Sequence, residues 1–275
     1  MNMMRLVEIR RYPVKSLRGH SLEEANVERI GLAGDRRWMI VDAANIFLTQ
    51  RQYPKLAQFD AVPTGKGVVL RHAAYGALEI DIPDHRAALE MVMVWRKTVV
   101  ARVAEPASAF LSGFLEKPVK LVYLHDEAAR PVDPIFGRED DRVSFADGYP
   151  VLVTSTASLD DLNRRLPKPI AMDRFRANLV VEGPAAWEED TWRSLRIGAL
   201  TFRVVKPCAR CAIPTFDPLT GEALEGAEPL RALGQFHRAA NGGIIFGQNV
   251  IPDAFGALRV GDPVEILETG ASNLL

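Results

Sequence analysis

The run Leu200-Thr-Phe-Arg-Val-Val-Lys-Pro-Cys-Ala-Arg-Cys-Ala-Ile-Pro-Thr-Phe-Asp-Pro-Leu-Thr-Gly221 contains the only two cysteines of this 275-residue chain. Its first six residues are apolar-rich and β-branched and predict a strand. Its last five, Asp-Pro-Leu-Thr-Gly, carry the residues of a turn. Cys208 and Cys211 therefore follow a strand rather than open a helix, and Pro214 interrupts any helix that would come next. A thiolate is a soft metal ligand and a strong nucleophile. Lys206 and Arg210 beside the thiols favour the ionised form, so chemistry is expected here.

Working outward, the amino-terminal part predicts many short strands, at residues 5–12, 23–28, 37–41, 68–71, 78–82, 91–95 and 98–104. They are rich in Val, Ile and aromatics, and Gly, Pro or Asp residues often separate them, which points to a β-barrel or sandwich. The opening residues 1–9 read as a strand and not as a signal peptide. Residues 107–115 have helical spacing, and 120–123 form a further strand. Residues 128–141 are polar and Pro-rich and read as a loop near a domain junction. A helix starts at Thr154 or Ser155, carries Leu159, Leu162 and Leu166, and stops at Pro167. Residues 178–182, 196–197 with 200–205, and 263–267 are strands, and 270–275 read as a frayed tail. The fold class is α+β, predominantly β.

Hydrophobic residues make up 48% and charged residues 25% of the chain, which fits an ordinary soluble globular protein. Lys and Arg total 34 against 35 Asp and Glu. That balance gives no overall attraction to a nucleic-acid polymer or an anionic membrane. No apolar run is long enough to span a bilayer, so a cytoplasmic protein with reduced thiols is expected. Two cysteines cannot complete a four-thiolate zinc or iron–sulfur site within one chain.

Basic residues fall at strand-to-turn junctions. Tyr12-Pro-Val-Lys-Ser-Leu-Arg-Gly19 ends the first strand with Lys15, Ser16 and Arg18. Gly34-Asp-Arg-Arg-Trp38 opens another with Arg36 and Arg37, and alternation sends one inward and the other to solvent. Thr49-Gln50-Arg51 marks a third junction. Asp173-Arg-Phe-Arg-Ala-Asn178 sets Arg174 and Arg176 two apart, on one face of an extended segment. Cations gathered from several loops make a phosphate receptor, which arginine grips in bidentate fashion. Beside a thiol, they suggest a site that holds a phosphorylated ligand against a cysteine. Pair by pair, surface charge and salt bridges explain the same residues, and spacing does not show that the loops converge. The five histidines, at 20, 72, 85, 125 and 237, lack ligand-like spacing. Trp38, Trp95, Trp187 and Trp192 are expected in the core.

Taken in order, Tyr12-Pro-Val-Lys-Ser16, Gly34-Asp-Arg-Arg-Trp38, Asp173-Arg-Phe-Arg-Ala-Asn178 and Cys208-Ala-Arg-Cys211 through Gly221 resemble one family. It is that of the MOSC-domain molybdenum enzymes, specifically the amidoxime-reducing component and its bacterial relatives. The resemblance runs from Arg5 to about Leu267 and includes Ser155-Thr-Ala-Ser-Leu-Asp-Asp-Leu-Asn163 and Val260-Gly-Asp-Pro-Val264. It implies an N-terminal MOSC β-barrel module over residues 1–120 and a β-barrel MOSC domain with flanking helices over 121–270. The form expected is the bacterial-like one without a ferredoxin domain.

The resemblance also implies a molybdenum cofactor (Mo-molybdopterin), whose dithiolene holds the metal while one protein thiolate completes the ligation; pyridoxal phosphate is not required. Matched residue by residue, Cys211 is the metal ligand and catalytic residue, with Cys208 nearby; spacing alone allows either. Lys15, Ser16 and Arg36 would hold the phosphate, Arg176 and Asn178 would donate to the pterin edge, and Asp147 would accept from ring N–H groups. Ser155, Ala209 and Arg210 complete the expected cofactor-binding set. Vertebrate members carry serine where Ala209 stands, so a side-chain hydrogen bond is lost there. Read on their own, Ser155 is a helix cap and Asp147 a turn residue.

The implied activity is reduction of N-hydroxylated compounds such as amidoximes, hydroxamic acids and N-hydroxylated nucleobases. Electrons would come from a separate ferredoxin, flavoprotein or cytochrome-b5-like protein. A monomer without a membrane partner is expected. Two other classes compete: a sulfur or metallo-sulfur carrier on the same fold, and a Cys-x-x-Cys thiol redox protein, whose usual setting is a helix N-terminus.

Overall fold

The structure is a computed structural model and describes residues 3–274. Strands dominate it, with three α-helices among the described residues: α1 (Glu105–Leu115), α2 (Thr156–Asn163) and α3 (Leu230–Phe236). The largest sheet has eight strands. Their order is His20–Leu22, Arg5–Arg11, Leu179–Glu182, Val151–Ser155, Ile245–Pro252, Leu200–Ala209, Trp192–Ile197 and Val264–Thr269. Only Val151–Ser155 and Leu179–Glu182 run parallel, and α2 lies in the crossover that a parallel pair requires.

Arg5–Arg11 pairs with Leu179–Glu182, and Glu24–Glu28 pairs with Gly256–Arg259. The first strands of the chain thus complete sheets of its carboxy-terminal half. Glu24–Glu28 alternates strictly, turning Ala25 and Val27 into a core with Ile9, Trp192, Phe202 and Val250. On the other face of the large sheet, Leu162 of α2 and Leu233 of α3 pack with Phe175, Val180 and Phe246. The remaining amino-terminal strands form a four-stranded and a three-stranded sheet. Leu111 and Phe114 of α1 cover them, packed with Phe59, Leu70, Ile80 and Leu121. The observed class is α+β with strands predominant, as expected.

Four local expectations need correction. The loop expected at 128–141 contains Arg130–Pro131, which pairs with Arg142–Val143. α2 ends at Asn163, before Leu166. The tail expected to fray is docked over residues 270–274, residue 275 lying outside the described part: Asn273 donates its backbone N–H to the Asp190 carbonyl (2.7 Å) and its amide to Gln248 (3.2 Å). Arg36 and Arg37 do not split between interior and solvent, because Arg37 is buried and donates to the Leu124 carbonyl. Residues 1 and 2 of the expected first strand lie outside the described part.

Candidate active site

One pocket, with about 760 Å³ of space including its open mouth, collects the strand-to-turn junctions. Lys15 and Ser16 enter after Arg5–Arg11, Arg36 before Trp38–Asp42, and Thr49 and Arg51 from the next loop. Asp147 and Tyr149 precede Val151–Ser155, and Arg176 and Asn178 precede Leu179–Glu182. Cys208, Arg210 and Cys211 come at and beyond the end of Leu200–Ala209. Five cations line this space (Lys15, Arg36, Arg51, Arg176 and Arg210) against one carboxylate, Asp147.

Most of the cations are held by the protein. Lys15 is 5% exposed, and its amine donates to the Phe145 carbonyl (2.8 Å) and to Asp147 (2.5 Å). Burial pulls it below the ordinary lysine range, and Asp147 opposes that pull. For Asp147 the surrounding protein works against the charge, but Lys15, Arg51 and Arg36 outweigh it and hold the carboxyl at about 2. Arg36 donates to Asp35 (2.6 Å), to the Asn178 side-chain oxygen (3.1 Å) and to the Arg176 carbonyl (3.1 Å). Arg176 donates to the Leu17 carbonyl (2.8 Å). Both guanidiniums lie against the Tyr12 ring, at 4.2 and 4.3 Å. Burial, followed by repulsion from Arg36, lowers Arg176 to about 10.

Ser16 (φ 67°), Arg36 (φ 47°) and Arg176 (φ 55°) all adopt the left-handed region. Non-glycine residues rarely do so, and such strain gathers at functional sites. No side-chain pattern in the sequence announces it. It also explains why Arg174 and Arg176 do not share a face: Met172–Phe175 is a 3-10 turn, after which the backbone reverses at Arg176. Arg174 instead pairs with Asp217 (3.2 Å) and donates to the Phe216 carbonyl (2.6 Å).

The two thiols have different surroundings. Leu200–Ala209 shifts register against Ile245–Pro252 between Val204 and Lys206 and again between Pro207 and Ala209. Such bulges re-aim side chains, and Cys208 lies within the second. It packs against the core that holds Phe175 and Phe246. Arg210 donates to its sulfur (2.9 Å) and to the Phe175 carbonyl (2.7 Å). Cys211 lines the pocket, partly exposed, and its sulfur makes no hydrogen bond among the described residues. The turn beyond it is pinned to the amino-terminal elements. Arg18 donates to the Leu219 carbonyl (3.1 Å) and Gln58 to that of Thr220 (3.0 Å).

Of the expected site residues, Lys15, Ser16, Arg36, Asp147, Arg176, Asn178, Arg210 and Cys211 line the pocket. Asn178 is 2% exposed, and its amide is used on Arg10, Leu152 and Arg36, so it positions Arg36. Ser155 and Ala209 are not among the lining residues. Ser155 is fully buried at the cap position of α2 and makes no capping bond; Ala209 is exposed beside Gly243. The expected set omits Arg51, Thr49, Tyr149 and Asn249. For Arg51 the signal is present, since it stands at a strand-to-turn junction as Lys15 and Arg36 do. Trp95, expected in the core, is 37% exposed with Arg51 over its ring.

The chain is thus β-rich and gathers five cations around two cysteines in one pocket. Residues 3–118 match the MOSC N-terminal beta barrel domain and residues 140–265 the MOSC domain. Mouse mitochondrial amidoxime-reducing component 1 is 32% identical over 273 residues, covering 93% of this chain and 80% of that protein. The human protein of that name is 32% identical over 274 residues, with 93% and 81% covered. Bovine mitochondrial amidoxime reducing component 2 is 31% identical over 272 residues, with 92% and 80% covered. The chain belongs to the MOSC-domain family of the amidoxime-reducing component type. No helix among the described residues is long and apolar enough to cross a membrane.

Proposed function

We propose that the chain is a molybdenum-cofactor-dependent reductase of N-hydroxylated compounds, with Cys211 as the protein ligand to the metal. The observation that carries this reading is the contrast between the thiols, which both line the pocket of five cations: the Cys208 sulfur packs against the core and accepts from Arg210, whereas that of Cys211 makes no hydrogen bond among the described residues. The relatives' names, which describe reduction of amidoximes, support the substrate class.

The donor set fits such a cofactor. Among the described residues, no three His, Cys, Asp or Glu side chains gather as a metal site. A metal held here must bring most of its ligands with it, as one bound by a pterin dithiolene does. Lys15, Ser16 and Arg36 are assigned to the phosphate, and Arg176 with Asp147 to the pterin edge. Asn178 and Asp35 orient Arg36, and Arg210 bonds the Cys208 sulfur. When bound, the cofactor supplies two-electron reduction of an N–O bond; the chain contributes charge, position and access. Residues 1–120 and 121–270 are taken as its two modules. It works as a cytoplasmic monomer and draws electrons from a separate redox protein.

Molybdenum and pterin content of the wild type, Cys211→Ala and Cys208→Ala, made in a cofactor-competent host, tests the assignment alongside amidoxime reduction with a supplied donor. Cys211→Ala should lose activity and thiolate ligation, while Cys208→Ala should keep both. The reverse pattern overturns the ligand assignment, and a wild type without molybdenum overturns the reading. Metal-loaded wild type that reduces no N-hydroxylated compound with any donor class points to a carrier instead.

A further inference from the structure

Four of the five pocket cations are engaged. Lys15 bonds Asp147 and Phe145, Arg36 bonds Asp35, Asn178 and the Arg176 carbonyl, Arg176 bonds Leu17, and Arg210 bonds Cys208 and Phe175. Arg51 differs from them. Among the described residues its guanidinium forms neither a hydrogen bond nor an ion pair, and it lies 4.5 Å from the centre of the Trp95 ring. The pocket's one carboxylate, Asp147, is bonded by Lys15 instead.

Trp95 is an unusual platform. It is a large apolar residue left 37% exposed, in the left-handed conformation (φ 57°), immediately after the strand Leu89–Val94. Its ring rests against Phe47 (5.3 Å) and also takes the Lys15 ammonium at 5.8 Å. A guanidinium stacked on an aromatic face keeps its in-plane N–H edges available and loses rotamer freedom before any ligand arrives. That is the geometry of a preorganised receptor for a bidentate oxyanion.

We propose that Arg51, shelved on Trp95, is the uncommitted anion-binding arm of the pocket and grips a phosphate-type oxyanion of the bound ligand. The oxyanion could belong to the pterin cofactor or to an anionic N-hydroxylated substrate; only that choice of source rests on the function proposed above.

The first test uses the full chain made in a host without molybdopterin synthesis, titrated calorimetrically with inorganic phosphate. Arg51→Gln should bind phosphate roughly 10- to 100-fold more weakly than wild type, as expected for losing a charged hydrogen-bonding pair. Trp95→Ala should weaken it in part and Trp95→Phe should preserve it. The thermal transition of Arg51→Gln should fall by no more than a few degrees, roughly the worth of one exposed cation–π contact, because Arg51 makes no hydrogen bond or ion pair among the described residues. The second test uses protein from a cofactor-competent host. Lower pterin content per chain in Arg51→Gln identifies the cofactor phosphate as the source. Equal pterin content, with a raised KM for a phosphate-bearing N-hydroxylated substrate and an unchanged KM for a neutral one, identifies the substrate. Equal phosphate affinity in wild type and Arg51→Gln overturns the assignment, as does undetectable binding to wild type. A loss of phosphate affinity with neither pterin content nor KM changed also overturns it. If wild type carried no pterin or molybdenum, the proposed function would fall, while the phosphate titration would still decide the role of Arg51.

Discussion

Replacing Asp147 by Asn should lower stability while strengthening the pocket's hold on phosphate. The stability part follows from the titration of Asp147, whose carboxyl is held at about 2 against an ordinary 3.8. The difference of about 1.8 units corresponds to about 2.4 kcal/mol at most, at about 1.36 kcal/mol per unit. The side chain is 63% exposed, so solvent screening cuts this to about 1 kcal/mol. Because the folded value is depressed, the contribution is present above pH 3.8 and is lost as pH falls through about 2. Urea denaturation should therefore show Asp147→Asn less stable by about 1 kcal/mol at pH 7, with a smaller gap at pH 3. In thermal melts this is a drop of roughly 2–4 °C for a chain of this size. The affinity part follows from pocket charge: five cations and one carboxylate become five cations alone, and Lys15 is released from its partner. One charge at about 7 Å, at an effective dielectric near 40, is worth about 1 kcal/mol, or roughly fivefold in phosphate affinity at low salt. Added salt should shrink that gain. The reasoning fails if Asp147→Asn loses phosphate affinity along with stability, because Asp147 would then be organising Lys15 rather than competing for it.

Two other predictions concern the scaffold. Glu189 is 1% exposed, and burial raises its carboxyl from 4.5 to about 7 although Ser158 donates to it (2.8 Å). A raised folded value means a penalty absent below pH 4.5 and complete above about 7. Glu189→Gln should therefore stabilise the chain by about 2–3 kcal/mol at pH 8 and by less than half of that at pH 5; equal urea midpoint shifts at both pH values would refute this. Gly221 has φ 78°, and a Cβ there would lie 2.2 Å from the Pro54 carbonyl oxygen. Gly221→Ala should cost at least about 2 kcal/mol and loosen the turn that follows Cys211. Limited proteolysis would show this as faster cleavage within residues 212–222, and unchanged cleavage would show that the turn is not anchored through Gly221.

The amino-acid pattern revealed most strands whose faces alternate, because one side of each meets a core and the other meets water. Ile245–Pro252 escaped notice although it lies within the largest sheet. Gly247, Gln248 and Asn249 interrupt its apolar run, and the fully buried Gln248 is satisfied by partners distant in sequence, donating its amide to Asp190 (2.7 Å) and accepting from Asn273 (3.2 Å). Polar burial of this kind is set by tertiary partners and leaves no local signature. Trp95 is the converse case: an aromatic residue expected inside is held at the pocket by its neighbours.

The same distinction applies to the candidate site. The cations at the strand-to-turn junctions were legible as charges, but their convergence depends on Arg5–Arg11 lying beside Leu179–Glu182 and on the parallel crossover through α2. Which charges remain available is a further step, since a guanidinium bonded to Asp35 and Asn178 and one lying on Trp95 look alike in a sequence. The cysteines make the point most sharply. Three residues of spacing treat Cys208 and Cys211 as equals, and both are flanked by positive charge. The register shift between Pro207 and Ala209 breaks that equivalence: both line the pocket, but Cys208 packs against the core of Phe246 and accepts from Arg210, while the Cys211 sulfur makes no hydrogen bond among the described residues. A bulge depends on strand pairing, and pairing belongs to two segments at once. The difference between the two thiols therefore depends on Ile245–Pro252, the strand that local pattern concealed.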